Sequence, residues 1–389
     1  MKKITKMKNF KIDLQMFDNT FLTVQEIADQ ALLRLRENEV FSKLVWRDFD
    51  AEFAQKKGDT IQVKVPNTFE AKDFTGTIVN QDITESNVLI KLDQIADVSV
   101  PITSKQKTLD LDNFTEQIVN PAVEALASKI DNTLAGLYVD IPYFTGTSGT
   151  TPSDLKAFAY SAKILNENNV PMGMRRGVWD PSALAEFQQL DKFVELDKSG
   201  TTEALREGAI GKAIGIENYM DQNIKTHVAG TFTAVATPLT AGVTAVAAVE
   251  IVVDGGAGTE TIKKGDLLSI GTYQFTATAD AVAVAGEVTI PVYPAVKEEI
   301  ADGTAVVFPD KTSKAHTSNL VFHRNAFVFV NRPMDSDLGG VDSAIASFEG
   351  LSIRVIKGFN QSTKVETMSF DILYGVKTVH KELAVRVLG

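Results

Sequence analysis

The chain has 389 residues, 44% of them hydrophobic, a net charge of −11 and no cysteine. That length suits two or three domains. The missing cysteines exclude disulfides, thiol catalysis and cysteine-ligated zinc or iron–sulfur centres, and the acidic balance opposes loose adhesion to nucleic acid. No apolar run is long enough to cross a membrane as a helix. The opening MKKITKMKNFKIDLQMF is rich in lysine but lacks the continuous apolar stretch of a secretion signal. Lys2, Lys3, Lys6, Lys8 and Lys11 read as a solvated tail.

Thr23 and Glu26 have the T-x-x-E spacing of a capping box. Val24, Ile27, Ala28, Ala31, Leu32 and Leu35 then form a helical stripe that ends near Asn38. Phe41, Leu44, Trp46, Phe49 and Phe53 follow as an aromatic segment, suited to a core or to a patch covered by another subunit. Lys57-Gly58-Asp59 is a turn, and TIQVKV (60–65) alternates as a strand stopped by Pro66. Residues 67–87 are polar, with little apolar surface to bury. Val88–Leu92 and Ile95–Ile102 read as returning strands. A two-stranded excursion of this kind is marginal alone and needs something to lie on.

The longest regular stretch is NFTEQIVNPAVEALASKIDNTLAGLY (113–138). Val119, Val123, Leu126, Ile130, Thr133 and Leu137 recur at steps of three and four, with Glu124, Lys129 and Asp131 mostly off that face. Asn120 is its expected cap, with Pro121 as first helical residue. Gly136 weakens the end and Pro142 forbids continuation. At about 20 residues, or ~30 Å, it can serve as a spine for the fold.

After a flexible TGTSGTT loop (145–151), a helix is expected over 153–166. A short strand follows at 177–181, then a helix over 182–190. Gly208, Gly211 and Gly215 lack the G-x-G-x-x-G spacing and mark turns. From Ala229 to Phe308 the composition shifts to Ala, Val, Thr and Gly, without arginine. Short strands at 249–253, 267–270, 273–278, 287–292 and 305–308, separated by glycine turns, predict a small barrel or sandwich. From Asn319 the earlier style resumes. Strands are expected at 320–322, 326–331, 351–357 and 368–373, and a last strand-like pair spans 374–388 around Lys381-Glu382. The insert thus divides one domain.

His227, His316, His323 and His380 lie far apart, without metal-site spacing, and read as ordinary polar residues. There is no phosphate-binding glycine loop and no nucleophile elbow. No catalytic, cofactor-binding or metal-ligating residue is assigned, and no enzyme activity is expected.

Several stretches, in this order, resemble a known family. They are K-G-D-T with the alternating strand (57–65), V-N-Q-D-I-T-E-S-N-V (79–88), N-P-A-V-E-A-L-A (120–127), A-L-R-E-G-A-I-G (204–211) and L-Y-G-V-K-T-V-H-K-E-L-A-V-R-V (373–387). Together they are similar to the major capsid proteins of tailed bacteriophages, in the coat-protein branch with an inserted β-barrel. The resemblance implies the HK97-type α+β fold. It assigns 1–20 to an N-terminal arm, 21–65 to the first helix and the start of the peripheral domain, and 66–90 to an extended loop lying on a neighbouring subunit. Residues 91–150 form the peripheral domain with the spine helix, 151–228 the apical domain and 229–314 the inserted barrel, and 315–389 return to both domains.

The implied function is an icosahedral shell, procapsid and then mature head, around the double-stranded DNA of a tailed phage or prophage element. It is assembled in the bacterial cytoplasm. The implied partners are copies of the chain itself, as hexamers and pentamers, a portal protein at one vertex and DNA held weakly and without sequence preference. A separate scaffolding protein is also expected, because the arm before the first helix is short. No membrane and no cofactor are involved. The alternatives are an encapsulin-like bacterial nanocompartment shell and, from the insert alone, a β-rich adhesion protein. Some family members join subunits by a Lys–Asn isopeptide bond. Lys72 lies in the loop and Asn360 would be its partner by position only, and Lys72 is expected to be a solvated lysine.

Overall fold

The computed structural model describes residues 23–47, 60–65, 86–103, 115–194, 210–311, 315–336, 341–348, 350–363 and 365–389. The lysine-rich tail, Phe49, Phe53, the Lys57-Gly58-Asp59 turn, most of the polar excursion and Ala204–Ala209 lie outside these residues.

The first helix, α1 (Val24–Asn38), starts on a complete capping box. The Glu26 N–H donates to the Thr23 hydroxyl, and the Thr23 N–H donates to the Glu26 carboxylate. A 3₁₀ turn, Phe41–Lys43, follows, and Phe41 is buried and stacked on Phe322 with ring centroids 5.5 Å apart. Strands β1 (Thr60–Val65) and β2 (Ser86–Lys91) pair antiparallel as a two-stranded arm, and β3 (Gln94–Thr103) returns from it.

The spine departs from its expected start. A π-helical turn, Thr115–Val119, runs directly into α2 (Asn120–Ala135). Val119 already has helical dihedrals (φ −67°, ψ −48°), and no side chain caps the junction. Asn120 is therefore not a cap. Pro121 has no N–H for the carbonyl four residues earlier, and its ring clashes there, so the chain widens upstream into the π turn. Past Ala135 the helix tightens into a 3₁₀ turn, Gly136–Asp140, and Ile141 is extended ahead of Pro142.

The remaining elements follow in order. They are β4 (Phe144–Gly146), α3 (Lys156–Glu167), β5 (Arg175–Trp179), α4 (Pro181–Gln188, capped by Asp180), α5 (Asp191–Val194), β6 (Lys212–Ala213), β7 (Ile216–Met220) and β8 (Thr226–Val228). The insert contributes β9 (Leu239–Thr240), β10 (Glu250–Asp254), β11 (Thr261–Ile262), β12 (Leu267–Ile270), β13 (Tyr273–Ala277), β14 (Ala281–Val282), β15 (Val288–Tyr293) and β16 (Val306–Val307). Then come β17 (Ala315–His323), β18 (Phe327–Arg332), β19 (Asp342–Phe348), β20 (Leu351–Asn360), β21 (Val365–Thr378) and β22 (Ala384–Leu388).

Among the described residues three large apolar cores form. In the first, α1 and α2 pack on the sheet of β18, β21, β20 and β19, to which β3 adds along β21. In the second, Phe158, Trp179 and Phe187 fill the space beside the sheet ordered β4-β22-β17-β5-β7-β6. Strand β17 is the wall between them: Leu320 and Phe322 face the first core and Val321 faces the second. The third core lies wholly within the insert, where Phe232, Ile251, Leu268, Phe275 and Ile290 meet inside the sheet ordered β16-β12-β13-β15-β10-β9. A backbone bridge between Leu239 and Ala305 joins its two ends, so this sheet closes as a barrel.

Candidate functional site: the junction of spine, insert and last strand

Strand β22 reads AVRVL, and all five residues are buried. Val385 and Val387 face the second core, which turns Arg386 to the opposite side. There its guanidinium is fully buried and joins three parts of the chain. Nε donates to the Ile141 carbonyl (2.8 Å) and Nη2 to that of Val139 (3.3 Å), both at the end of the spine. Nη1 donates to the Gly265 carbonyl (2.7 Å) and Nη2 to Thr276 Oγ1 (2.9 Å), both in the barrel. The cation also sits 5.3 Å from the centre of the Tyr138 ring. Burial lowers its pKa to about 10, and nearby Tyr138, Asp310 and Asp266 work against that shift. Gln274 adds a second clasp, since its side-chain amide both accepts from and donates to the backbone of Phe144 (3.0 and 2.9 Å).

Two histidines expected to be unrelated meet here. Strand pairing sets His316 opposite His227, and their rings lie 5.3 Å apart. Asp266 accepts from the backbone N–H groups of Gly230 and Lys263 (3.0 and 2.8 Å), so His227 Nε2 donates to it (2.8 Å) and His227 Nδ1 accepts from the Tyr138 hydroxyl (2.9 Å). Asp310 accepts from His316 Nδ1 and from the Ser148 hydroxyl, each at 2.6 Å. Burial opposes the charge of Asp310, but the bonds from His316 and Ser148 hold its carboxyl below the usual carboxylate range. Burial also raises the Tyr138 hydroxyl. This network joins spine to insert through directional bonds where an apolar contact would be free to slide.

About one turn before the end of the spine helix lies a second correction. Asp131, expected off the apolar face, is buried, and its carboxylate accepts from the N–H groups of Val40 and Phe41 (2.9 and 3.0 Å). It thereby satisfies backbone donors at the 3₁₀ turn behind α1. Burial is the main reason its pKa rises to about 7, with Asp221 and Glu39 adding repulsion against the two N–H bonds. Glu39 rises to about 6, again chiefly through burial, with Ser42, Arg47 and Lys43 opposing.

Among the described residues no group of three His, Asp or Glu side chains could hold a metal. His323 accepts from the Asn325 N–H (3.3 Å), and both His323 and His380 have pKa values lowered first by burial. Lys72 lies outside the described residues. Asn360 is exposed, and its side-chain oxygen accepts from the Ser362 and Thr363 N–H groups (3.0 and 3.3 Å), closing the β20–β21 turn.

Comparison with known proteins agrees with this architecture. The family model described as P22 coat protein, gene protein 5, matches residues 273–389, from the barrel to the last strand. A major capsid protein of Acyrthosiphon pisum secondary endosymbiont phage 1 is 23% identical over 372 residues, covering 83% of this chain and 87% of its own. A solved structure from Mycobacterium phage Che8 superposes with a TM-score of 0.51 at 17% identity, over 90% of each chain. The fold is thus the HK97-type capsid fold. Both sequence matches are to phage coat proteins, one over the last third of the chain and one over most of it.

Proposed function

We propose that copies of this chain close into an icosahedral shell, first as a procapsid and then as a mature head, around the double-stranded DNA of a tailed phage or prophage element. The observation that carries this reading is the near end-to-end relation to a phage major capsid protein. In this reading α1, α2 and the sheet around β21 form the peripheral domain, the sheet around β17 the apical domain, and residues 229–314 an outer barrel. The β1–β2 arm is a sheet of two strands and reaches a neighbouring copy. Hexamers and pentamers arise from repeated quasi-equivalent contacts, each weak and many per subunit. The net charge of −11 suits a container whose wall must release DNA, since strong phosphate contacts would hold it in a salt-dependent way. A portal protein, a separate scaffolding protein and assembly in the bacterial cytoplasm belong to the same proposal, as does the absence of catalysis.

Negative-stain microscopy of the protein made with and without its neighbouring genes tests this. Closed shells are expected, uniform only when a scaffolding protein is present. A monomer at every concentration would overturn the reading. Uniform shells from this chain alone would remove the scaffold. The encapsulin-like nanocompartment is not favoured, because the relatives found by sequence are phage coat proteins; cargo enzyme in place of DNA inside purified particles would restore it.

A further inference from the structure

The β1–β2 arm leaves the sheet at one narrow point. A Cβ placed on Gly375 of β21 would lie 2.3 Å from the Lys91 carbonyl oxygen and 3.4 Å from the Leu92 Cα. A glycine inside a strand often marks such a close approach of another backbone. Beside this contact, Ile90 and Leu92 pack on Val328, Val330 and Val379 as a small core separate from the main one. Val330 is directly opposite Gly375 in the β18–β21 pairing, so both lie on the face that carries the arm. Strand β18 can carry it because its alternate residues, Phe327 and Phe329, already fill the main core on the other face.

We propose that Gly375 is the fulcrum that sets the direction of the arm, and through it the geometry with which one subunit engages the next. The second half rests on the shell-forming function above; the first concerns the subunit alone. Any side chain at 375 pushes the Lys91 carbonyl away by on the order of 1 Å to restore an ordinary contact. The arm extends about 20 Å beyond this base, at ~3.3 Å per residue. A lift of that size over a base two residues wide swings its far end by about 3 Å.

The test uses Gly375→Ala in the full chain, with Gly358→Ala as its control. Gly358 lies in the neighbouring strand β20, where an added Cβ meets only Val341 at 4.0 Å. The chain has no cysteine, so spin labels at Ser86→Cys, at the far end of the arm, and Leu33→Cys on α1 report one distance in the unassembled subunit. Gly375→Ala is expected to keep a cooperative melt, shift that distance by about 3 Å, and give shells of altered diameter or shape. Gly358→Ala is expected to match the parent in all three. An unchanged distance, or shells of parental size from Gly375→Ala, overturns the proposal. If Gly375→Ala does not fold, Ile90→Ala loosens the same mount without touching β21 and should broaden the distance distribution; an unchanged distribution overturns the proposal equally. Failure of the parent to form shells would count against the shell reading and leave the distance test of the fulcrum intact.

Discussion

Arg386, in the last strand, donates to the carbonyl of Gly265, in a turn of the inserted barrel, at 2.7 Å. The two are 121 positions apart in sequence, yet this bond and its neighbours decide how the barrel sits on the spine. Replacing Arg386 by Met strands the Ile141 and Gly265 carbonyls at a buried gap, while Thr276 and Val139 keep their bond to each other. Leaving a buried acceptor unsatisfied costs about 1–3 kcal/mol. Arg386→Met is therefore expected to lower the subunit's unfolding free energy by that order in urea melts and to raise hydrogen exchange across 263–277. Arg386→Lys should recover little, because an ammonium cannot serve four divergent acceptors as the planar guanidinium does. Exchange at parental rates in the Met variant would show that the barrel is held mainly by other contacts.

The carboxylates behind α1 predict an unusual pH dependence. Asp131 ordinarily titrates near 3.8 and in the fold near 7, and Glu39 moves from 4.5 to about 6. Both folded values are raised, so the fold binds more protons than the unfolded chain between those limits. Their stabilising contribution is full below about pH 4 and is lost as pH rises toward 7. Asp131→Asn retains one acceptor and cannot ionise. It is expected to lower stability at pH 4.5 and to flatten the fall between pH 5 and 7. An identical slope in parent and variant would exclude Asp131 as the source.

The barrel has a complete core and closes its own sheet, so residues 226–314 expressed alone should give a dispersed β-type NMR spectrum and a cooperative melt. A domain of this size without disulfides is marginal. Ile270 is 3% exposed, and Ile270→Asp buries an unpaired charge. In the whole chain that change should reduce the yield of assembly-competent subunit more than it weakens shells already formed. An unstructured isolated segment, or normal shells after its deletion, would end the idea of an autonomous folding unit.

Covalent joining of subunits through Lys72 and Asn360 is not expected, because only position in the sequence relates the two residues. Intact-mass analysis of assembled particles should return the mass of a single chain. A ladder of covalent oligomers on a denaturing gel would contradict this.

Local features were legible in the sequence wherever a short-range rule had no competitor. Thr23 and Glu26 cap α1 because capping involves residues three apart. The spine and the main barrel strands followed from periodicity, and the order of motifs pointed to the capsid fold. Pro121 does sit in the first turn of the α-helix, but the cap expected at Asn120 is displaced because a π turn runs directly into the helix ahead of it. Asp131 was misread because periodicity counts apolar residues, and a carboxylate on the buried face is tolerable only when distant N–H groups meet it. The arginine inside AVRVL was the one visible sign of the junction. Its partners come from elements more than a hundred residues away, as His227 and His316 come from opposite ends of the insert. Secondary structure obeys near-neighbour sterics and burial period, which a sequence displays directly. The satisfaction of buried polar groups depends on which distant backbones meet, and only the closed tertiary structure decides that.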